Sequence, residues 1–475
     1  MKYSRYQEAI FSAIKDTDKS YVVEAVAGSG KTSTIIKSLE FVPTFSKPLF
    51  VAFNKSITIE LTGKLPDHVP ASTWHSLGLR NITRSFGKVK IDESKTYNLF
   101  KDLKGKYGTW AGINRLVSLA KAEGEVNPNF SQIFDDYGLI IESDILNYSI
   151  DMAQKIFQRS LEITGIVDFD DMLLFNAVDY VSSQEQFSHL FVDEGQDTNK
   201  AQIKMLLSAI GENGRAIVVG DRKQSIYQFR GADTYAMDRI LHGIKAENLP
   251  LSICYRCGKN IVALAKTFVP QIEPFEDSIA GEIKYIKDSE LFDLVSNGDM
   301  ILCRTNAPLI STCLKLISMG RKATVRGRDI GKGLKALLDK IQKKYPVASY
   351  SLRDTLKYLD VYVREETYKL IALERQQAIA NLTDQQETLV ALSDGCDTFQ
   401  ELLYRISSIF SDEITPIVLS SIHRAKGLES DRVFIIRPDL LPHPAARTPE
   451  EIQAERNIQY VAITRAKKSL FFVEK

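Results

Sequence analysis

Short, continuous apolar runs alternate along this chain with longer stretches whose apolar residues recur every three or four positions. Four runs, YVVEAV (21–26), PLFVAF (48–53), HLFVDE (189–194) and RAIVVG (215–220), are apolar enough to be strands covered on both faces. Amphipathic stretches follow most of them. That alternation predicts a parallel sheet with helices on either side. The pattern breaks between about 81 and 166, where spacing is helical, charges segregate and strand signals are lacking. It resumes with GDMILCR (298–304), RKATVRG (321–327), PIVLSSI (416–422), RVFIIR (432–437) and SLFFVE (469–474), which predict a second sheet. From Leu334 to Asp394 there is no glycine and one proline, Pro346, so a second helical stretch interrupts that sheet. Thr448-Pro449-Glu450-Glu451 reads as a helix start, with a hydroxyl cap, proline in the first turn and glutamate three residues on. The expected fold is α/β, two parallel-sheet cores each carrying a mainly helical insertion. The expected boundaries are 1–80 and 167–250 for the first core, 81–166 for its insertion, 251–333 and 412–475 for the second core, and 334–411 for a small second insertion.

Composition narrows the class. The 475 residues are 44% hydrophobic and 25% charged, as in ordinary globular chains. No apolar run reaches membrane-spanning length, and MKYSRYQEAIFSAIKD is too polar for a secretory leader. Five cysteines make no even framework, which fits a reducing cytoplasm. Cys254 and Cys257 form a Cys-x-x-Cys without a second pair at metal spacing, so they read as two helix-start cysteines rather than zinc ligands. Net charge is only +1, yet Arg80–Lys121 holds ten Lys/Arg against three Asp/Glu, and Arg321–Lys344 nine against two. Each block is either a solvated face or part of a track for a polyanion.

Candidate chemistry sits at strand ends. AVAGSGKTST (25–34) follows one strand and opens a helix, and Ala27, Gly28, Ser29, Gly30, Lys31, Thr32 and Ser33 form a phosphate-cradling loop. Glycines let backbone N–H groups close on oxyanions, Lys31 reaches the β/γ-phosphates, and Thr32 is placed to ligate Mg²⁺. Ala25 stands where the usual pattern has its first glycine. In FVDEGQDT (191–198) a strand ends in Asp193 and Glu194, the first suited to Mg²⁺ and the second to orienting and deprotonating water. GDRKQSIYQFRGAD (220–233) joins a phosphate-sensing amide, Gln224, to Tyr227, Phe229 and Arg230, which can stack on bases of a single strand.

With these segments in place, the chain resembles the superfamily 1 helicases of the UvrD/Rep/PcrA type over nearly its whole length. SRYQ (4–7) resembles their adenine-reading glutamine motif at Gln7. VAFNKSI (51–57) and STWHSLG (72–78) resemble motifs Ia and Ib, and DFDDML (168–173) is similarly placed. GDRKQSIYQFRGAD corresponds to motif III, LSICYRC (251–257) to IV, SSIHRAKGLESDRVFII (420–436) to V and ERNIQYVAITRAKK (455–468) to VI. The resemblance implies RecA-like cores that use ATP and Mg²⁺, the metal on Thr32 and Asp193. It implies Arg256 and Arg465 as arginine fingers, Tyr255 stacking on adenine and Glu429 near the ribose. It assigns single-stranded DNA to Phe53, Asn54, Thr73, His75, Tyr227, Phe229, Arg230 and His423. It implies a helicase moving 3′-to-5′, a monomer on single strands and junctions, with no membrane partner. Cys254 replaces the usual asparagine, Phe229 a frequent tryptophan, and the motif Ia segment is one residue short. Two alternatives stay open: a translocase that displaces bound proteins with little unwinding, and an ATP-gated DNA-binding module without turnover.

Overall fold

The computed structural model describes residues 3–474 except 53–54, 107, 138, 140, 142, 183, 227–231, 234, 347–350, 373–375 and 411–415. The chain forms two compact units, Met1–Ile253 and Cys254–Lys475.

A six-stranded sheet organises the first unit, in the order Ala71–Ser72, Pro48–Val51, Phe187–Val192, Ile210–Gly220, Tyr21–Ala25, Glu247–Leu251. Every neighbouring pair is parallel. Alternate residues serve opposite faces. Val22, Leu49, Val51, Leu190, Val192 and Val218 enter one core, and Val23, Ala25, Phe50, Phe191, Ile217 and Val219 enter the other. Burial on both faces is why these strands read as unbroken apolar runs. Because the strands are parallel, the loops after Ala25, Val192 and Gly220 leave from one edge of the sheet. Two edge strands carry no such run. Ala71–Ser72 is two residues long, and Glu247–Leu251 contains Pro250, which only an edge tolerates.

Helices Trp74–Phe86, Lys95–Asp102, Trp110–Ala122, Phe130–Asp136, Ser143–Glu162 and Phe169–Ala177 pack around a separate cluster that includes Ile113, Leu116, Ile156, Phe157 and Phe175. Contrary to the expectation of no strands there, Lys90–Ile91 pairs with Ile166–Val167 in parallel. Two residues per strand give no periodicity to read. Two lysines of the Arg80–Lys121 block also turn inward. Lys121 Nζ lies 2.7 Å from both Asp168 Oδ2 and Asp171 Oδ1, and Lys95 Nζ lies 2.7 Å from Asp171 Oδ2. Both ammonium groups are buried, so part of that block's charge is neutralised inside the fold and faces no partner.

The second unit has its own six-stranded sheet, ordered Glu282–Lys287, Ala466–Glu474, Ser430–Ile436, Met300–Cys303, Ile417–Ser421, Ala323–Val325, again with parallel neighbours. Helices Arg328–Lys344, Leu352–Ala372, Gln376–Ser393 and Phe399–Ile409 share one core with it. Leu334, Leu338, Leu389 and Ile406 lie in the same cluster as Ile301, Leu419 and Phe434. The helix Pro449–Ile463 starts as expected, with Thr448 and Glu451 forming a capping box. Among the described residues no helix is long and apolar enough to cross a membrane.

Candidate functional site

The first unit gathers its polar groups at the sheet edge. After Ala25 the backbone takes left-handed angles at Gly28 (φ 67°) and Gly30 (φ 76°), and the helix Lys31–Ser38 begins at once. Only glycine holds such angles without strain, so the spacing of the two glycines shapes the loop. Ser29 is buried, and its hydroxyl finds no partner among the described residues, an orphan within a loop of the kind that binds oxyanions. The Ser33 hydroxyl folds back on Gly30 O at 2.9 Å. Gln7 accepts from Ser4 N and donates to Thr34 Oγ1, both at 3.0 Å, tying the first helix, Arg5–Asp16, to the phosphate-loop helix.

Across this edge lie the carboxylates. Thr32 Oγ1 donates to Asp193 Oδ2 at 2.8 Å, and Lys31 Nζ pairs with Glu194 Oε1 at 3.3 Å. Burial first, then the adjacent Glu194 charge, pushes the Asp193 carboxyl up to about 6 against the pull of Lys31 and Thr32. Burial would lower the Lys31 ammonium, but the charges of Glu194, Asp221 and Asp193 outweigh it and hold the lysine above its ordinary value. Glu194 sits in the left-handed region at φ 54°, a conformation that non-glycine residues adopt only when their surroundings fix it. Those surroundings include Gln196, whose Nε2 donates to Glu194 Oε2 and whose Oε1 accepts from Asp221 N at 2.9 Å. Asp221 Oδ2 in turn accepts from Gln224 Nε2 at 2.7 Å. Hydrogen bonds thus run from Thr32 through Asp193, Glu194, Gln196 and Asp221 to Gln224, with the Glu194 N–H bonded to Asp193 Oδ1 at 2.9 Å.

The second unit assembles a cationic counterpart around Thr464. Arg256 Nε pairs with Glu429 Oε2 at 2.6 Å, and its Nη1 donates to Thr464 O at 3.3 Å. Lys467 Nζ holds the other Glu429 oxygen at 2.6 Å. Arg465 is fully buried, donating to Val461 O at 3.0 Å, Leu428 O at 3.1 Å and Thr464 Oγ1 at 3.4 Å. Tyr255 packs its ring against Phe275, with centroids 4.9 Å apart. Cys254 and Cys257 are buried on either side of Tyr255 and Arg256, and Cys257 Sγ approaches Thr464 O at 3.7 Å.

Two family models match this chain, the UvrD/REP helicase N-terminal domain over residues 6–244 and the UvrD-like helicase C-terminal domain over residues 178–474. The chain belongs to the UvrD-like helicase family. Its curated relatives include F-box DNA helicase 1 of Gallus gallus, at 24% identity over 99% of this chain and 49% of that protein. The F-box DNA helicase protein 1 of Schizosaccharomyces pombe matches at 24% identity, over 94% of this chain and 55% of that protein. ATP-dependent DNA helicase PcrA of Staphylococcus epidermidis matches at 24% identity, over 97% of this chain and 82% of its own length. The chain therefore spans about half the length of the F-box relatives.

The helicase motifs fall into three groups by placement. Lys31, Thr32, Asp193, Glu194 and Gln224 meet at the first sheet edge, while Tyr255, Arg256, Glu429 and Arg465 cluster within the second unit. The residues assigned to DNA are more dispersed. Thr73 caps the helix Trp74–Phe86 by accepting from Ser76 N at 3.2 Å. His75, its imidazole lowered by burial, meets the half-exposed Phe169 ring edge-on at 6.0 Å. His423 is half-buried in the segment that follows the strand Ile417–Ser421. Phe53, Asn54, Tyr227, Phe229 and Arg230 lie outside the described residues. Sequence reading passed over Gln196 and Asp221, although both sit in quoted motifs. The adjacent glycines carry a usable signal. A Cβ on Gly220 would come within 2.6 Å of Gln196 Oε1, and one on Gly195 within 2.5 Å of Val218 Cγ1, so the two loops press together there.

Proposed function

We propose that this protein is an ATP-driven DNA motor that moves 3′-to-5′ along a single strand and opens duplex at junctions. One observation carries the reading: in a chain of the UvrD-like family, Lys31, Thr32, Asp193, Glu194 and Asp221 converge on a glycine-shaped loop at the end of a parallel sheet. The names of the relatives from Schizosaccharomyces pombe and Staphylococcus epidermidis, both DNA helicases, support the choice of DNA.

The backbone from Ala27 to Ser33 would cradle the phosphates, with Lys31 turning from Glu194 to the β/γ-phosphoryl oxygens. The residues present fit a magnesium ion, since the buried, raised Asp193 beside the partly exposed Glu194 lacks a compensating divalent charge. Thr32 and Asp193 would hold it, and its chemistry is to neutralise charge on the β/γ oxygens. Glu194 would take the proton of the attacking water on its carboxylate. Arg256 and Arg465 would neutralise charge spreading over the γ-phosphoryl oxygens, with Tyr255 against the adenine. Gln224 and the residues after it would relay the state of the phosphate to stacked bases.

The test is ATP turnover with and without oligo-dT, beside strand displacement on duplexes tailed at either end. Single-stranded DNA should raise turnover, and a 3′ tail should support unwinding where a 5′ tail does not. Glu194→Gln should keep nucleotide and DNA binding while turnover falls by about 10²–10⁴-fold. Normal hydrolysis in that variant would overturn the assignment of the base. Turnover indifferent to DNA would favour a gripping module, and protein displacement without unwinding a pure translocase.

A further inference from the structure

The side chain of Gln196 is buried between two loops that leave different strands. Its amide nitrogen bonds Glu194 Oε2, its amide oxygen accepts the Asp221 N–H at 2.9 Å, and its backbone carbonyl accepts from Ser225 Oγ at 3.3 Å. The geometry suits glutamine. A glutamate would set one carboxylate against another, and an apolar residue would leave the buried Asp221 N–H unpaired. The segment it grips is short and continuous. Asp221 Oδ1 accepts from Lys223 N at 3.0 Å and Oδ2 from Gln224 Nε2 at 2.7 Å, and the stretch assigned to DNA begins three residues later. On the other side, Glu194 has a left-handed backbone, and its carboxylate pairs with Lys31 and accepts from Gln196.

We infer that Gln196 is a positioning residue that couples the Asp221–Gln224 loop to the Glu194 carboxylate and thereby sets how strongly single-stranded DNA accelerates ATP turnover. This rests on the reading of Glu194 as the base and of the following loop as a DNA contact. A displacement of the loop by a bound strand moves the Asp221 N–H, and with it the amide that orients Glu194. Gln196 bonds both the Glu194 carboxylate and the backbone of the Asp221 loop.

Two variants of the full chain test it. Gln196→Met keeps the length and removes both amide functions. Turnover with oligo-dT should fall at least about tenfold more than turnover without it, as expected for losing a hydrogen bond to a charged group, while KM for ATP shifts less than about twofold. Gln196→Glu should lose stimulation at pH 8 and regain it as pH is lowered and the new carboxyl, its pKa raised by Glu194, becomes a donor. If the methionine variant does not fold, as judged by circular dichroism and melting, the pH profile of the glutamate variant decides. Equal losses with and without DNA, or a stimulation ratio that neither substitution changes, would overturn the inference. Glu194→Gln measured alongside separates the two levels. Surviving turnover there sinks the base itself, whereas lost turnover with an unmoved Gln196→Met ratio sinks only the coupling.

Discussion

In the first unit the carboxylates Asp193, Glu194 and Asp221 act on one ammonium, Lys31; in the second, one carboxylate, Glu429, lies between two cations, Arg256 and Lys467. The first cluster carries a surplus of buried negative charge, and the Asp193 carboxyl shows it by rising to about 6. The second has the opposite surplus, two cations to one carboxylate, and burial, which alone would raise Glu429, is outweighed by Lys467 and Arg256, so that this carboxyl sits below its ordinary value. One region is short of positive charge and the other is short of negative charge. The contrast extends to how groups are held. Glu194 depends on a strained backbone and a glutamine, while Arg465 rests on the carbonyls of Val461 and Leu428.

The largest effect expected from breaking this contrast lies with the two arginines. Arg256→Ala and Arg465→Ala should each lower DNA-stimulated turnover by roughly 10³-fold or more, the scale of a lost arginine finger. They should part company in stability. Arg465 is 1% exposed, so its truncation removes a donor from Val461 O and Leu428 O and leaves a void. A cost of roughly 2–4 kcal/mol follows, read as a lower denaturation midpoint. Arg256 is partly solvated, and its loss should cost about 1 kcal/mol or less. Equal midpoints for the two variants would show that burial of Arg465 contributes nothing.

A smaller effect, of opposite sign, belongs to the surplus of charge. Because the native Asp193 carboxyl is raised from 3.8 to about 6, the native state favours its protonated form. The stability associated with that proton is fully present below pH 3.8 and is lost as pH rises through about 6. Asp193→Asn removes the titration. In a metal-free buffer the variant should be more stable than the parent by roughly 1–3 kcal/mol at pH 8, with the gap closing by pH 4. Urea midpoints at the two pH values check it. A variant that is less stable at pH 8 would mean that Lys31 and Thr32 already compensate the charge.

What the sequence disclosed follows from how local each signal is. The phosphate loop was readable because Gly28 and Gly30 take angles that side chains resist, and the central strands because parallel strands are buried on both faces. The helix start at Thr448 was readable because both halves of its capping box lie within four residues. Gln196 was not, since its partner Asp221 is 25 positions away and nothing in one segment names the other. Lys95 and Lys121 passed for surface cations because their carboxylates, Asp168 and Asp171, lie 47 or more positions on. The edge strand Glu282–Lys287 escaped for a different reason. EIKYIK has four exposed residues and none buried, and a solvated edge carries the charged residues that mask a strand and discourage pairing with other chains.

The smallest effect tests whether the Glu429 cluster is held by charge at all. Glu429 is 37% exposed, Lys467 38% and Arg256 20%, so solvent screens much of the attraction between them. The lowered carboxyl means that its contribution is present above the unfolded value and fades as pH falls through the native one. Glu429→Gln should therefore cost only about 0–1 kcal/mol at pH 7, less in high salt and nothing near pH 3. The same change frees Arg256 and Lys467 from their shared carboxylate without moving the Arg256 bond to Thr464 O. If pairing with Glu429 aims the Arg256 guanidinium, KM for ATP should rise a few-fold while the melting midpoint barely shifts. If Thr464 O and the neighbouring backbone aim it, neither quantity should move, and the salt dependence of the midpoint should match that of the parent.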